Sequence, residues 1–216
     1  MTDTTWALAH SPMRRRGRPP ASDSAVTRER ILHAARKVFA ESGYEAATFQ
    51  AIALEIGLTR PAINNYFASK SALYAEVVRR ASTTIRDAVA AASHAPTLAG
   101  QLTEFLRLTI HGDDADPTLA GFLVQSAMEA QHLPQLGELH GESRVATQIE
   151  RFVRDAVDSA VQRGEVDNHV AEALCDALMG VVWGSAFQVS RGIAADGPRA
   201  DRMLGEFEGL LQRAVG

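Results

Sequence analysis

The 216 residues are 46% hydrophobic, enough for one large core or one core with a small domain attached, and a lone cysteine, Cys175, excludes an intrachain disulfide. The net charge of -4 hides an uneven distribution: twelve Lys/Arg stand against seven Asp/Glu up to Arg80, and ten against nineteen after it. A basic first third suits a polyanion and an acidic remainder discourages non-specific adhesion, although simple drift of charge along a chain gives the same numbers.

The N-terminus lacks an apolar stretch of signal-peptide length, and no later segment reaches membrane-spanning length without a charged or polar interruption. A cytoplasmic protein with no membrane partner is therefore expected, with Cys175 as core filler rather than a reactive thiol.

Met1 to Asp23 clusters Arg, Pro and Ser with little apolar content and reads as a disordered basic arm, residues 1–23. After it the chain reads as helix almost throughout. Ile31, Leu32, Ala35, Val38 and Phe39 repeat at the spacing of one helical face, and Ser42-Gly43 ends that helix. A short second helix starts at Thr48, whose hydroxyl can cap the first turn, carries Ile52 and Ala53 and stops at Gly57. Thr59 can cap a third, with Pro61 in the first turn where its missing amide costs nothing, and with Ile63 and Phe67 as its apolar edge.

Ser69 opens a longer helix that buries Leu73, Val77, Val78 and Ala81. Five further helices are predicted near Leu98 to Ile110, Thr118 to Ala130, Glu142 to Arg163, Val170 to Ser190 and Arg199 to Ala214. Asp116-Pro117, His132-Leu133-Pro134, Gly164 and Asp196-Gly197-Pro198 separate them. No run alternates apolar residues of strand-forming type, so the fold class is all-α, with a unit at 24–70 joined to a larger helical domain at 71–216.

Two short helices around a Gly-containing turn, the second rich in exposed polar side chains, form the pattern of a helix-turn-helix over Ala47 to Phe67. In that geometry the first helix braces the second, which enters the major groove of DNA. Arg can then donate two hydrogen bonds to guanine and Asn can pair with adenine, which suits Arg60, Asn64 and Asn65 beside Tyr66.

The stretch Thr27 to Val78 keeps Phe39, Gly43, Thr48, Ile52, Ala53, Gly57, Tyr66-Phe67, Lys70 and Leu73 in order, and in this it resembles the DNA-binding domain of the tetracycline-repressor (TetR) family. The resemblance implies a homodimeric, operator-binding repressor that a small-molecule effector releases. It implies phosphate contacts for Thr48, Thr59, Tyr66 and Lys70, and base-facing positions for Arg60, Pro61, Ala62 and Asn65, with Pro61 and Ala62 apolar enough to meet a thymine methyl. Asn64 departs from the commonest family pattern, where an aromatic is more usual. The arm adds Arg14, Arg15, Arg16 and Arg18 in an Arg-Gly-Arg-Pro setting similar to an AT-hook, with a solvated tail as the plain alternative.

By the same resemblance, the last two long helices form the dimer face, where Gly180, Gly184 and Ser185 allow close approach and Leu204, Phe207, Leu210 and Leu211 form a stripe. On pattern alone that stripe reads as ordinary core. Candidate effector-pocket residues are Phe105, Phe122, Gln125, Met128, Phe152, Trp183 and Phe187. The seven His residues show no close ligand spacing, and no phosphate loop or nucleophile motif is present, so neither a metal, a cofactor nor an enzyme is expected. An effector-independent architectural or activating DNA binder is the alternative function.

Overall fold

The computed structural model describes residues 21–111, 117–130, 132, 145–192 and 197–215. Among them every regular element is helical: α1 (Ala21–Ala46), α2 (Phe49–Glu55), α3 (Arg60–Asn64), α4 (Lys70–Ala92), α5 (Leu98–Leu106), α6 (Pro117–Ala130), α7 (Val145–Gln162), α8 (Ala171–Ser190) and α9 (Gly197–Val215). A π-helical turn, Arg107–His111, continues α5, and a 3-10 turn, Asn168–Val170, precedes α8. The basic arm lies outside the described residues except at its end, where α1 begins at Ala21, two residues before the expected limit at Asp23.

Local chemistry accounts for most boundaries. Thr48, Ser69 and Thr97 each accept a hydrogen bond from the amide three residues on, at 3.1 Å, and so cap α2, α4 and α5. Gly43 takes φ +76 inside α1 and breaks it there, a conformation open to glycine at little cost. The helix predicted from Leu98 to Ile110 is not uniform, because its last turn widens to a π turn where the buried Thr109 hydroxyl donates to the Phe105 carbonyl at 2.7 Å.

α1 lies against α6, α6 against α8, and α8 against α7. α4 ties the first three helices to the rest, packing on α1, α5 and α7, while α9 packs on α5 and its π turn. The junction is aromatic. Phe39 of α1, Tyr74 of α4 and Phe122 of α6 are fully buried, with Tyr74 edge-on to Phe39 at 5.0 Å, to Tyr44 at 4.9 Å and to Phe122 at 5.7 Å. Deeper in the larger unit, Phe105 and Phe152 meet at 4.9 Å.

Candidate nucleic-acid interface

Ile52 and Ala53 anchor α2, and both are fully buried. Its end is a Schellman turn: Leu58 N–H reaches the Ala53 carbonyl at 2.8 Å and Gly57, at φ +68, donates to Leu54 at 3.3 Å. Arg30 donates to the Ile56 carbonyl at 3.0 Å and closes the same end from outside.

The chain then enters α3, whose inner edge is Ile63, fully buried, and behind it Phe67. The Arg28 guanidinium sits 4.9 Å from the centre of the Phe67 ring. With that edge fixed, Arg60, Pro61, Asn64 and Asn65 are exposed, and Ala62 and Tyr66 are half-buried. Thr59 is exposed but makes no side-chain cap bond, contrary to expectation. Its carbonyl starts the helix instead, accepting from Ala62 N at 2.9 Å, and Pro61 presets the first turn.

Thr48, Arg60, Asn64 and Lys70 line one hollow of about 490 Å³ between α2, α3 and the start of α4. Phe49, Gln50, Ala68 and Ser69 share it, and none of these four was singled out as a DNA contact from sequence. Ser69 had a signal, as the cap of α4; the inward turn of Gln50 had none. The other predicted DNA-facing residues, Thr59, Pro61, Ala62, Asn65 and Tyr66, lie outside the hollow.

Among the described residues of the first third, most cations are engaged within the chain. Arg28, Arg79 and Arg80 surround Glu76, Arg80 also reaches Glu29, Lys37 meets Glu55, and Arg36 donates to Thr118. The hydrogen bond from Arg79, helped by that from Arg28 and opposed by partial burial, pulls the Glu76 carboxyl from 4.5 down to about 2. Lys70, expected on a phosphate, instead spends its three donors on the Tyr44, Glu45 and Ala47 carbonyls, at 2.7, 2.9 and 3.1 Å. Among the described residues of this region, Arg60 is the cation left without an intramolecular partner.

Residues 31–77 match the family model for bacterial regulatory proteins of the tetR family. Those residues therefore form a DNA-binding domain of the tetR type. Among relatives, the HTH-type transcriptional regulator UidR of Escherichia coli is 24% identical over 162 residues, covering 73% of this chain and 78% of UidR. The HTH-type transcriptional repressor AcnR of Corynebacterium diphtheriae is 33% identical over 69 residues, 32% of this chain and only 36% of AcnR. The TetR-family regulator PfmR of Thermus thermophilus has the same fold, with a TM-score of 0.62, 25% identity and coverage of 85% of this chain and 97% of PfmR. The chain is a DNA-binding transcriptional regulator with a helix-turn-helix of that type.

A second cleft, about 890 Å³, lies between α6, α7 and α8. Of the seven candidate pocket residues it takes Met128, Trp183 and Phe187. Phe105, Phe122 and Phe152 are at most 4% exposed and belong to the core, where aromatic spacing on a helix looks the same as a ligand wall. Gln125 donates to Glu129 at 3.2 Å and borders an adjoining groove of about 540 Å³ beside α1, which shares Met128 and Phe187 with the cleft. Of the expected dimer face, Ser185, Leu204 and Leu211 are buried within the chain, Phe207 is half-buried, and Leu210 points outward.

Proposed function

We propose that the protein is a cytoplasmic, homodimeric repressor that reads operator DNA with α3 and leaves it when a small molecule occupies the α6–α7–α8 cleft. The observation that carries the DNA reading is α3 itself: Ile63 and Phe67 hold its inner edge while Arg60, Asn64 and Asn65 face outward, with the Arg60 guanidinium unpaired and thus ready for a guanine edge. Thr48, Thr59 and Tyr66 flank that face and supply phosphate contacts; Pro61 and Ala62 add apolar contact. The arm arginines, outside the described residues, extend the footprint along the minor groove.

Dimerisation is supported by the outer side of α8. By length and apolar content alone the segment Asn168–Ser190 would reach across a membrane, with a mean hydropathy of 1.4, and much of it is unburied. Val181, Phe187 and Leu210 are exposed, and Gly180, Gly184 and Gly205 face open space into which a second copy can fit closely. A dimer also places two copies of α3 on one duplex, about one helical turn apart.

Effector release is supported by the cleft, walled by Trp183, Phe187 and Met128 and bordered by the acidic Glu150. Ligand binding there releases DNA only to the extent that it favours a state with the two α3 helices differently spaced. Selection of bound duplexes from a random pool is the test. The reading predicts enrichment of a palindrome with two half-sites; diffuse AT-rich enrichment, or none, overturns it.

A further inference from the structure

The turn between α1 and α2 is held from two sides by opposite charges. On one side Lys70 Nζ donates to the Tyr44, Glu45 and Ala47 carbonyls and lies 4.6 Å from the centre of the Tyr44 ring. On the other, Glu129 Oε1 in the last turn of α6 accepts the Tyr44 N–H at 2.8 Å. The peptide groups are aligned with both: carbonyl oxygens face the ammonium and the amide faces the carboxylate, which makes each bond charge-assisted.

Gly43 makes room for this. A Cβ built there would run into Glu129 Oε1 and would crowd Gln125 Nε2 at 3.0 Å. Gln125 in turn donates to the same Glu129 oxygen at 3.2 Å and orients it. Ala47 N–H closes the turn on the Gly43 carbonyl at 3.2 Å, and Thr48, the next residue, caps α2. The residue that opens the helix-turn-helix therefore stands only four positions after the carboxylate's contact at Tyr44.

We infer that Glu129 is a positioning residue for DNA binding: through the Tyr44 amide and the Lys70-clamped turn it sets where α2 and α3 stand relative to the larger domain. Its neighbours Met128 and Ala130 line the α6–α7–α8 cleft, so an occupant that shifts the last turn of α6 also shifts this contact. That corollary rests on the effector reading of the cleft; the role of Glu129 in unliganded protein does not.

The test uses the full chain and the duplex recovered from the random pool. Glu129→Ala is expected to bind that duplex roughly tenfold more weakly, the loss of one charge-assisted hydrogen bond, with helical content and sedimentation unchanged. Its Tyr44 amide should exchange with solvent faster, while the Ala51 and Ala72 amides, capped by Thr48 and Ser69, keep their rates. Glu129→Gln, whose side-chain oxygen can accept the same bond, should restore most of the affinity. A merely stabilising residue would lower the unfolding midpoint and leave both the affinity of the folded protein and the Tyr44 exchange rate alone, and that result overturns the inference. If the alanine variant does not fold, Glu129→Asp, one methylene too short, takes its place with the same two outcomes. Failure of the wild-type protein to select any duplex would instead strike at the DNA-binding reading.

Discussion

Gly43→Ala combines two costs that can be separated by a control at Gly57. An alanine at φ +76 loses about 1–2 kcal/mol to backbone strain. Its Cβ also displaces the Glu129 carboxylate, and leaving the half-buried Tyr44 amide without that acceptor costs about 1–3 kcal/mol more. Gly57→Ala, at φ +68 in the Schellman turn, meets a milder strain than an alanine at φ 76, ψ 173, and has nothing within 4 Å of the new Cβ. Both substitutions gain alike from a stiffer unfolded chain. Urea unfolding at one fixed protomer concentration should therefore show Gly43→Ala about 1–3 kcal/mol less stable than Gly57→Ala. In a Glu129→Ala background that gap should narrow to the difference in backbone strain, because the carboxylate to be displaced is gone. Equal losses at the two glycines, or a gap left at full size by removal of Glu129, would show that the new Cβ does not displace the carboxylate.

Glu76 provides a pH test: its carboxyl is depressed in the folded state, so the stabilisation it supplies is complete above about 4.5 and disappears as pH falls toward 2. The loss over that window, up to about 3 kcal/mol, should be reduced in Glu76→Gln when both proteins are unfolded by urea at pH 6 and pH 3. Thr48→Ala removes an observed cap and should lose about 1 kcal/mol of stability together with DNA affinity. Thr59→Ala removes no cap bond, so calorimetry should show a midpoint close to wild type while duplex affinity falls. Phe152→Ala should cost about 3–5 kcal/mol as a core deletion. Trp183→Ala, at the half-buried cleft wall, should cost less stability and change small-molecule binding, read by a thermal-shift ligand screen.

Features that depend on residues close in sequence were legible before the structure. Caps at Thr48 and Ser69, the stop at Gly57 and the Ile63/Phe67 edge each follow from chemistry within about five residues. The same local logic failed at Thr59, because a hydroxyl before a helix looks identical whether or not it turns back to bond the first turn. At Lys70 it missed the bonds to the turn, for a different reason. Its carbonyl partners lie 23 to 26 residues earlier, and nothing local distinguishes a lysine aimed at phosphate from one folded onto a turn.

Distance in sequence also hid Glu129, 85 residues from Tyr44, and the ion pairs that engage Arg28, Lys37 and Arg80. Arg28 and Glu76 are 48 residues apart, and Arg80 and Glu29 are 51 apart. Among the aromatics, helical spacing placed Phe105, Phe122, Phe152, Trp183 and Phe187 on apolar faces alike. Only packing shows that the first three are enclosed on every side and the last two border a cleft.

If the outward face of α3 reads bases, Arg60 is the side chain through which it does so. Affinities of wild type and Arg60→Ala would be compared on the selected duplex and on duplexes changed one base pair at a time. Wild type should lose about 1–3 kcal/mol at one guanine-bearing position, and Arg60→Ala should no longer distinguish that base. Discrimination by Arg60→Ala equal to wild type at every position would contradict this reading.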